Sequence, residues 1–211
     1  MIAGVILAAG ASTRMGGHPK ALLDYRGETF VGRLVRVLSG VCDPVIVVLG
    51  YHAERVLPAI DSLAVRARVV INPAPERGQL SSLQTALTEL PEQAEGFMFV
   101  PVDCPAAEPE TVAHVAAAFR ARDPLIQFVV PQYRGKHGHP LCASRAIAEE
   151  MLALPATGQA RDVVHGHVAE TLYIDVDDRG ILTDVDNPER YRLLVENAAS
   201  RAGERNEKGG E

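Results

Sequence analysis

The chain holds 211 residues, 47% hydrophobic and 23% charged, with a formal net charge of −6 and a pI near 5.7. That length and apolar content suit a single domain around one substantial core, and the negative charge offers no long-range attraction to DNA or RNA, which argues against a nucleic-acid partner. Cys42, Cys104 and Cys142 are odd in number, widely spaced and free of CxxC pairing, so they fit neither a disulfide scaffold nor a four-ligand zinc site and read as reduced thiols of a cytoplasmic protein.

The opening MIAGVILAAG is apolar but lacks a basic leader and is too short to span a bilayer. It reads as a buried strand through Val5, Ile6 and Leu7, with no membrane segment expected. Further Val- and Ile-rich runs at 45–49, 69–71, 97–100 and 126–130 alternate with helix-like stretches at 30–38, 52–60, 82–90 and 109–121. Continuous apolar runs of this length suit strands buried on both faces of a parallel sheet. Hydroxyls near Ser82 suit a helix start, and Glu108-Pro109-Glu110 suits a first turn. The βαβαβαβα rhythm predicts an α/β fold, a Rossmann-like three-layer sandwich with a mostly parallel sheet between helices. From about Tyr133 the rhythm changes to a glycine- and histidine-rich turn, a short apolar run at Leu141-Cys142-Ala143, a helix over 146–154, a strand over 172–176 and a closing helix over 188–197 capped by Asn187. This second half looks mixed or inserted. Residues 199–211 are polar and without apolar period, which predicts a frayed tail and leaves 1–198 as one domain.

The stretch Leu7-Ala8-Ala9-Gly10-Ala11-Ser12-Thr13-Arg14-Met15-Gly16, followed by Pro19-Lys20, leaves the first strand and enters a loop of small residues. Small residues let backbone amides approach an anion closely, and such a nest binds phosphate oxygens without side chains. Arg14 adds a planar fork and Lys20 a compact point charge, as a triphosphate requires. The alternative is a plain strand-to-helix turn with two surface cations, which the spacing of Arg14, Pro19 and Lys20 disfavours. Neither the Walker loop GxxxxGK[ST] nor the dinucleotide motif GxGxxG occurs. The stretch instead resembles the signature LAAGxSxRMG…PK of the MobA-like nucleotidyltransferase family, which includes molybdopterin guanylyl- and cytidylyltransferases and, more distantly, sugar-phosphate nucleotidyltransferases.

Further pieces of the family pattern extend over nearly the whole chain. Asn72, Gly78 and Ser81-Ser82 match an asparagine and a glycine-serine turn; Val102-Asp103-Cys104-Pro105 matches Gly-Asp-x-Pro with valine in place of glycine; Arg134-Gly135 with Gly138-His139-Pro140 matches an Arg-Gly-x-Pro turn; and Asp184-Val185-Asp186-Asn187-Pro188 matches a late Asp-x-Asp-x-Pro. The resemblance implies the nucleotide-diphospho-sugar transferase type of fold and a nucleotide site of Leu7, Ala8, Ala9, Gly10, Ser12, Arg14, Lys20, Asn72, Gly78 and Ser82. It implies an acceptor site of Arg134, Gly135, His137 and His139, with Lys136 beside them. In nucleotidyl transfer an acceptor oxygen attacks the α-phosphorus in line and expels pyrophosphate, and Mg2+ held by a few carboxylates relieves the crowded charge.

Asp103, at the C-terminal end of a parallel strand, is where an open α/β sheet presents ligands and is the expected main metal ligand. Asp184 and Asp186, two apart on an extended segment, are expected to point to opposite sides, so that only one faces the metal, and the sequence does not choose between them. Taken alone, Asp103 reads equally as a turn cap and Asp186 as a helix cap. Arg14, Lys20 and Asp103 form the catalytic set, in which preorganised charge replaces covalent chemistry. Ser82, with Gln79 near it, reads as a partner of base or ribose or as a helix N-cap. The pairs His137-Gly138-His139 and His165-Gly166-His167 raise a rival zinc site, but no acid or cysteine accompanies them at ligand spacing; the second pair reads as a solvated helix end. The family's guanylyltransferases usually read LAGG where this chain has Ala9, and a methyl there disfavours a purine. CTP is therefore the expected nucleotide, with GTP as the second choice. Molybdopterin is the expected phosphorylated acceptor and a molybdoenzyme-maturation partner is implied; the alternatives are a sugar phosphate or another small phosphorylated acceptor, or a nucleotide-binding protein without catalysis.

Overall fold

A computed structural model describes the backbone of residues 1–208 and the side chains through residue 199. Strand β1 (Ile2–Ala8) leads through a hairpin of β2 (Asp24–Tyr25) and β3 (Glu28–Thr29) into α1 (Phe30–Ser39), followed by β4 (Val45–Leu49), α2 (Ala53–Asp61), β5 (Arg68–Ile71), α3 (Gln79–Leu87), β6 (Gly96–Pro101) and α4 (Pro109–Ala121). The second half runs β7 (Phe128–Tyr133), β8 (Lys136–His137), β9 (Leu141–Ser144), α5 (Arg145–Ala153), α6 (Ala160–Gly166), β10 (Thr171–Asp175) and α7 (Pro188–Lys208). The main sheet has the order β10-β7-β9-β6-β1-β4-β5, with β8 lying along β7. The expected three-layer α/β architecture is the one found.

Every residue of β1 is buried, because the strand serves two cores. Ile2 and Ile6 pack with α1 and α4 through Phe30, Leu34, Val115 and Phe119. Val5 and Leu7 pack on the opposite face with Leu83 and Leu87 of α3 and Ile147 and Met151 of α5. A strand covered on both faces reads as a continuous apolar run, and each large side chain so buried contributes roughly 1.5–3 kcal/mol. Helix entries are fixed locally: Thr29 Oγ1 accepts from Gly32 N at 3.1 Å, Ser144 Oγ from Ile147 N at 3.3 Å and Asn187 Oδ1 from Arg190 N at 2.9 Å.

The mixed second half has a definite form. β9 inserts antiparallel between β6 and β7, while β1 is parallel to β4 and β6, and β10 is parallel to β7. Two reversals restore direction, so the C-terminal ends of β1, β4, β6, β7 and β10 emerge at one edge of the sheet. The chain also leaves β1 for β4 and β5 on one side and returns to β6 on the other, which opens a crevice at the strand ends.

Several boundaries differ from the sequence expectation. Helix α3 begins at Gln79 behind Gly78 with no side-chain cap, so Ser82 sits in its first turn and caps nothing. β7 starts at Phe128 because Ile126 N closes a turn onto Asp123 O at 2.9 Å. Helix α6 and the β2–β3 hairpin are additional. Helix α7 continues to Lys208 through the start of the segment expected to fray; residues 209–211 and the side chains from 200 onward lie outside the described residues. Among the described residues, no helix is long and apolar enough to cross a membrane.

Candidate functional site

The loop after β1 is folded upon itself by Ser12, whose φ of 52° places it in the left-handed region. Ser12 O accepts from Met15 N (2.9 Å) and Gly17 N (3.2 Å), and Ser12 Oγ accepts from Lys20 N (3.1 Å). Helix α2 holds the loop from outside: His52 Nε2 bonds Ala11 O at 2.9 Å and Arg55 Nη1 donates to Gly17 O at 3.1 Å. Among the described residues, the backbone amides of Gly10, Ala11, Ser12 and Thr13 donate to no protein acceptor. A run of free, converging amides is the electrostatic requirement of an anion nest. Gly50 lets this wall close, since a Cβ there would lie 2.7 Å from Ala9 O and 2.8 Å from Pro75 Cβ.

These residues border a cavity of about 610 Å3 that also receives Lys20, Gly78, Gln79, Ser82, Val102, Asp103, His139, Asp184 and Asp186. Leu7 through Arg14 line it, as the phosphate-loop reading requires of their position. Asn72 does not line it. Asn72 is buried, donates from Nδ2 to Ser81 Oγ (2.8 Å) and Ser82 Oγ (3.0 Å), and accepts at Oδ1 from Ala74 N (2.9 Å). With both its donors and its acceptor engaged inside the protein, Asn72 braces the wall and leaves Ser82 to face the cavity.

Across from the loop, Asp103, Asp184 and Asp186 each offer a carboxylate oxygen, and the three atoms lie within 4.8 Å of one another. Both late aspartates therefore turn toward Asp103. The expected divergence is corrected: residues two apart on an extended segment lie on the same side, and with Val185 N pinned to Asp103 O at 2.9 Å both flanking carboxylates reach the cluster. A small set of partly exposed oxygens suits a divalent cation that keeps several waters. Among the described residues this is the sole group of three or more His, Cys, Asp or Glu with such convergence.

The ammonium of Lys20 bridges the cluster, donating to Asp103 Oδ2 at 2.8 Å and Asp186 Oδ1 at 3.1 Å, while Arg14 Nη1 lies 3.6 Å from Asp186. Burial works against the Lys20 charge, but the hydrogen bonds and charges of Asp103 and Asp186 outweigh it and raise its pKa. The Lys20 hydrogen bond draws the Asp186 carboxyl below the usual range. Burial, then the neighbouring Asp103 and Asp186 charges, push Asp184 up. Burial also lifts the Cys104 thiol well above its ordinary value, so Cys104 is a neutral wall and no nucleophile.

The four expected acceptor residues divide. His139 borders the first cavity, its ring edge-on to Phe99 at 5.3 Å and its Nδ1 buried with no hydrogen-bond partner among the described residues; burial lowers the imidazole's pKa. Arg134 and His137 border a second cavity of about 1,040 Å3, which meets the first at Asp184. Gly135 completes the β7–β8 turn but lines neither. His137 ends β8, whereas His139 lies beyond it with its N bonded to Ile181 O at 3.0 Å; His137 stacks on Tyr173 at 4.2 Å. His167, from the second pair, ends α6 and bonds Glu170 and Glu150 at 2.7 and 2.8 Å.

Two supporting residues were not singled out from sequence. Arg33, buried in α1, donates from Nε to Pro105 O (2.9 Å) and from Nη2 to Ala107 O (3.1 Å), fixing the turn that follows Asp103. Asp178 accepts from Glu108 N (2.8 Å) and Gly180 N (2.7 Å), tying that same turn to residues 179–182. The signals were an arginine set among Phe30, Val31, Leu34 and Val37 and an Asp two residues before a glycine.

A loop of free amides facing converging carboxylates across a switch-point crevice defines a nucleotidyltransferase-type α/β protein. Residues 4–171 match the MobA-like NTP transferase domain, and the chain belongs to that family. In structure it is similar to Rv0371c of Mycobacterium tuberculosis H37Rv, with a TM-score of 0.78 and 30% identity over 93% of this chain and 98% of that one. A manganese complex of Rv0371c gives a TM-score of 0.74 at 30% identity, over 92% and 98% of the two chains. In sequence it is similar to a probable molybdenum cofactor guanylyltransferase of Bacillus cytotoxicus, 28% identical over 138 residues and 64% of each chain. It is also 28% identical over 174 residues to the bifunctional protein GlmU of Mycobacterium ulcerans, over 77% of this chain but only 35% of that protein.

Proposed function

We propose that this protein transfers CMP from CTP to a phosphate monoester, with molybdopterin as the acceptor, and releases pyrophosphate. The observation that carries the transfer is the meeting of Lys20, Asp103, Asp184 and Asp186 at the mouth of the amide loop. The free amides of residues 10–13 take phosphate oxygens, and Arg14 and Lys20 offset the negative charge that grows on the leaving pyrophosphate. An acceptor phosphate oxygen forms the new bond to the α-phosphorus as the bond to the bridging oxygen breaks. Asp103, Asp184 and Asp186 would hold a magnesium ion, which would supply Lewis-acid stabilisation of negative charge. Ser82 and Gln79 face the base and ribose, and neutral His139 faces the reacting end of the acceptor.

The choice of CTP rests on Ala9, which lines the cavity and carries a methyl where the family's guanylyltransferases usually read glycine. GTP is the competing reading, favoured by the name of the Bacillus cytotoxicus relative. Pyrophosphate release with magnesium and an acceptor panel is expected to require a triphosphate and to fall by at least about 100-fold in Asp103→Ala. Turnover unchanged in that variant would remove the mechanism. Thermal stabilisation by magnesium with CTP is expected to exceed that with GTP, and the reverse order would replace the cytidylyl reading by a guanylyl one.

A further inference from the structure

The second cavity carries charge of the opposite sign to the chain. Against a net charge of −6, its lining includes Arg134, Lys136, Arg179 and Arg190 and a single acid, Asp184. Arg190 is already engaged, since its Nη1 lies 3.1 Å from Asp184 O and 3.4 Å from Asp184 Oδ2. Among the described residues, Arg134, Lys136 and Arg179 have no carboxylate within 4.0 Å.

Two turns of the same kind make the contrast sharp. Arg26-Gly27 and Arg134-Gly135 both place arginine and glycine at positive φ, 56° and 80° in the first and 51° and 75° in the second. An L side chain in that conformation costs roughly 1–2 kcal/mol, and asparagine or glycine would relieve it. Arg26 recovers the cost inside the protein, donating to both oxygens of Glu108 at 2.9 and 3.1 Å. Arg134 has only the Tyr133 ring, 5.1 Å away, and stands at the rim with its charge uncompensated. On the opposite side of the cavity α7 presents Leu193, which is 47% exposed, next to Leu194.

We propose that the second cavity receives the distal part of the acceptor, and that the acceptor is a phosphate monoester carrying a second anionic group on an apolar or planar body. The assignment rests on the nucleotidyl-transfer reading of the first cavity. The reacting phosphate lies on the Asp184 side, where the two cavities join, the second anion reaches Arg134, Lys136 and Arg179, and the body lies against Leu193 and Leu194. Three uncompensated cations favour an acidic group over a neutral polar one because each gains a charge-assisted bond on binding.

The test is calorimetric titration of the full chain, with magnesium and whichever α,β-methylene analogue of CTP or GTP stabilises it, using phenyl phosphate, 4-carboxyphenyl phosphate, biphenyl-4-yl phosphate and 4′-carboxybiphenyl-4-yl phosphate. At least one carboxylate probe is expected to bind about ten-fold or more tighter than its carboxylate-free counterpart. In Arg134→Gln/Arg179→Gln that advantage is expected to fall below about three-fold, with Arg179→Gln alone intermediate. Equal binding of both pairs in the wild-type chain, or an advantage that survives the double substitution, overturns the proposal while nucleotide stabilisation leaves the transfer reading standing. Stabilisation by neither nucleotide removes the transfer reading itself and this assignment with it.

Discussion

Replacing Lys20 by methionine keeps the length and apolar stem of the side chain and removes only its charge. In the protein that charge sits 2.8 Å from Asp103 and 3.1 Å from Asp186, and the three carboxylates of the cluster approach within 4.8 Å. Two unit charges at that separation repel by about 3.5 kcal/mol at an effective dielectric near 20 and by about 1 kcal/mol in bulk water. Asp103 is 24% exposed, Asp186 38% and Asp184 44%, so solvent screening places each pair nearer the lower figure. Lys20→Met is therefore expected to destabilise the metal-free protein by about 1–3 kcal/mol. Two responses then diverge. Without nucleotide, the carboxylates no longer have an ammonium competing for them, so Mn2+, read by electron paramagnetic resonance or calorimetry, is expected to bind about ten-fold tighter. With nucleotide, a triphosphate loses its fixed cation, and affinity is expected to fall by about 100-fold. Mn2+ binding that is unchanged or weaker in Lys20→Met without nucleotide would refute the idea that lysine and metal contend for one set of oxygens.

Arg33→Met leaves the carbonyls of Pro105 and Ala107 without their buried donor. Urea unfolding is expected to show a loss of about 3–5 kcal/mol with slower pyrophosphate release, and a loss under about 1 kcal/mol would mean that the turn after Asp103 is held by other contacts. His167 has its pKa raised first by the Glu170 hydrogen bond, with burial opposing and Glu150 adding to the rise. A group with a raised folded-state pKa stabilises fully below its unfolded value and loses that contribution as pH climbs through the folded value. His167→Ala is thus expected to cost up to about 1 kcal/mol near pH 6 and to lose that cost by about pH 9. A constant difference between the two melting profiles across that range would show that the imidazole's charge is not what joins α5 to β10.

The parts legible from sequence are those whose burial is uniform and whose contacts are local. Val45 to Leu49 and Phe97 to Val100 are apolar on both faces and could only be central strands. The order of β9 could not be read, because its four residues pair with β6 and β7 across chain separations that no periodicity encodes. Asp103, Lys20 and the loop were legible because phosphate chemistry restricts residue type and spacing together. Asn72, expected at the nucleotide, instead bonds Ser81 and Ser82 within the cavity wall, because an amide that braces a wall and one that faces a ligand look the same in sequence. Asp184 and Asp186 converge because side chains two apart along an extended backbone share a side, so the divergence expected of them misapplied the period of two.

The insertion of β9 also explains why two cavities meet at one aspartate. β1, β4 and β5 follow each other through short parallel crossovers and build the first cavity from the loop at Leu7 to Arg14. β7 runs parallel to β6 after the α4 crossover, β9 fills the gap between them antiparallel to both, β10 returns parallel to β7, and the β7–β8 hairpin, the turn Arg179–Leu182 and α7 then enclose the second. Asp184 lies on the connection between β10 and α7, within reach of both. Ala9 and Pro75 line the first cavity and not the second, while Arg134, Lys136 and Arg179 line the second and not the first. Under the proposed function, nucleotide and acceptor meet at the carboxylates that the two cavities share, Asp184 lining both.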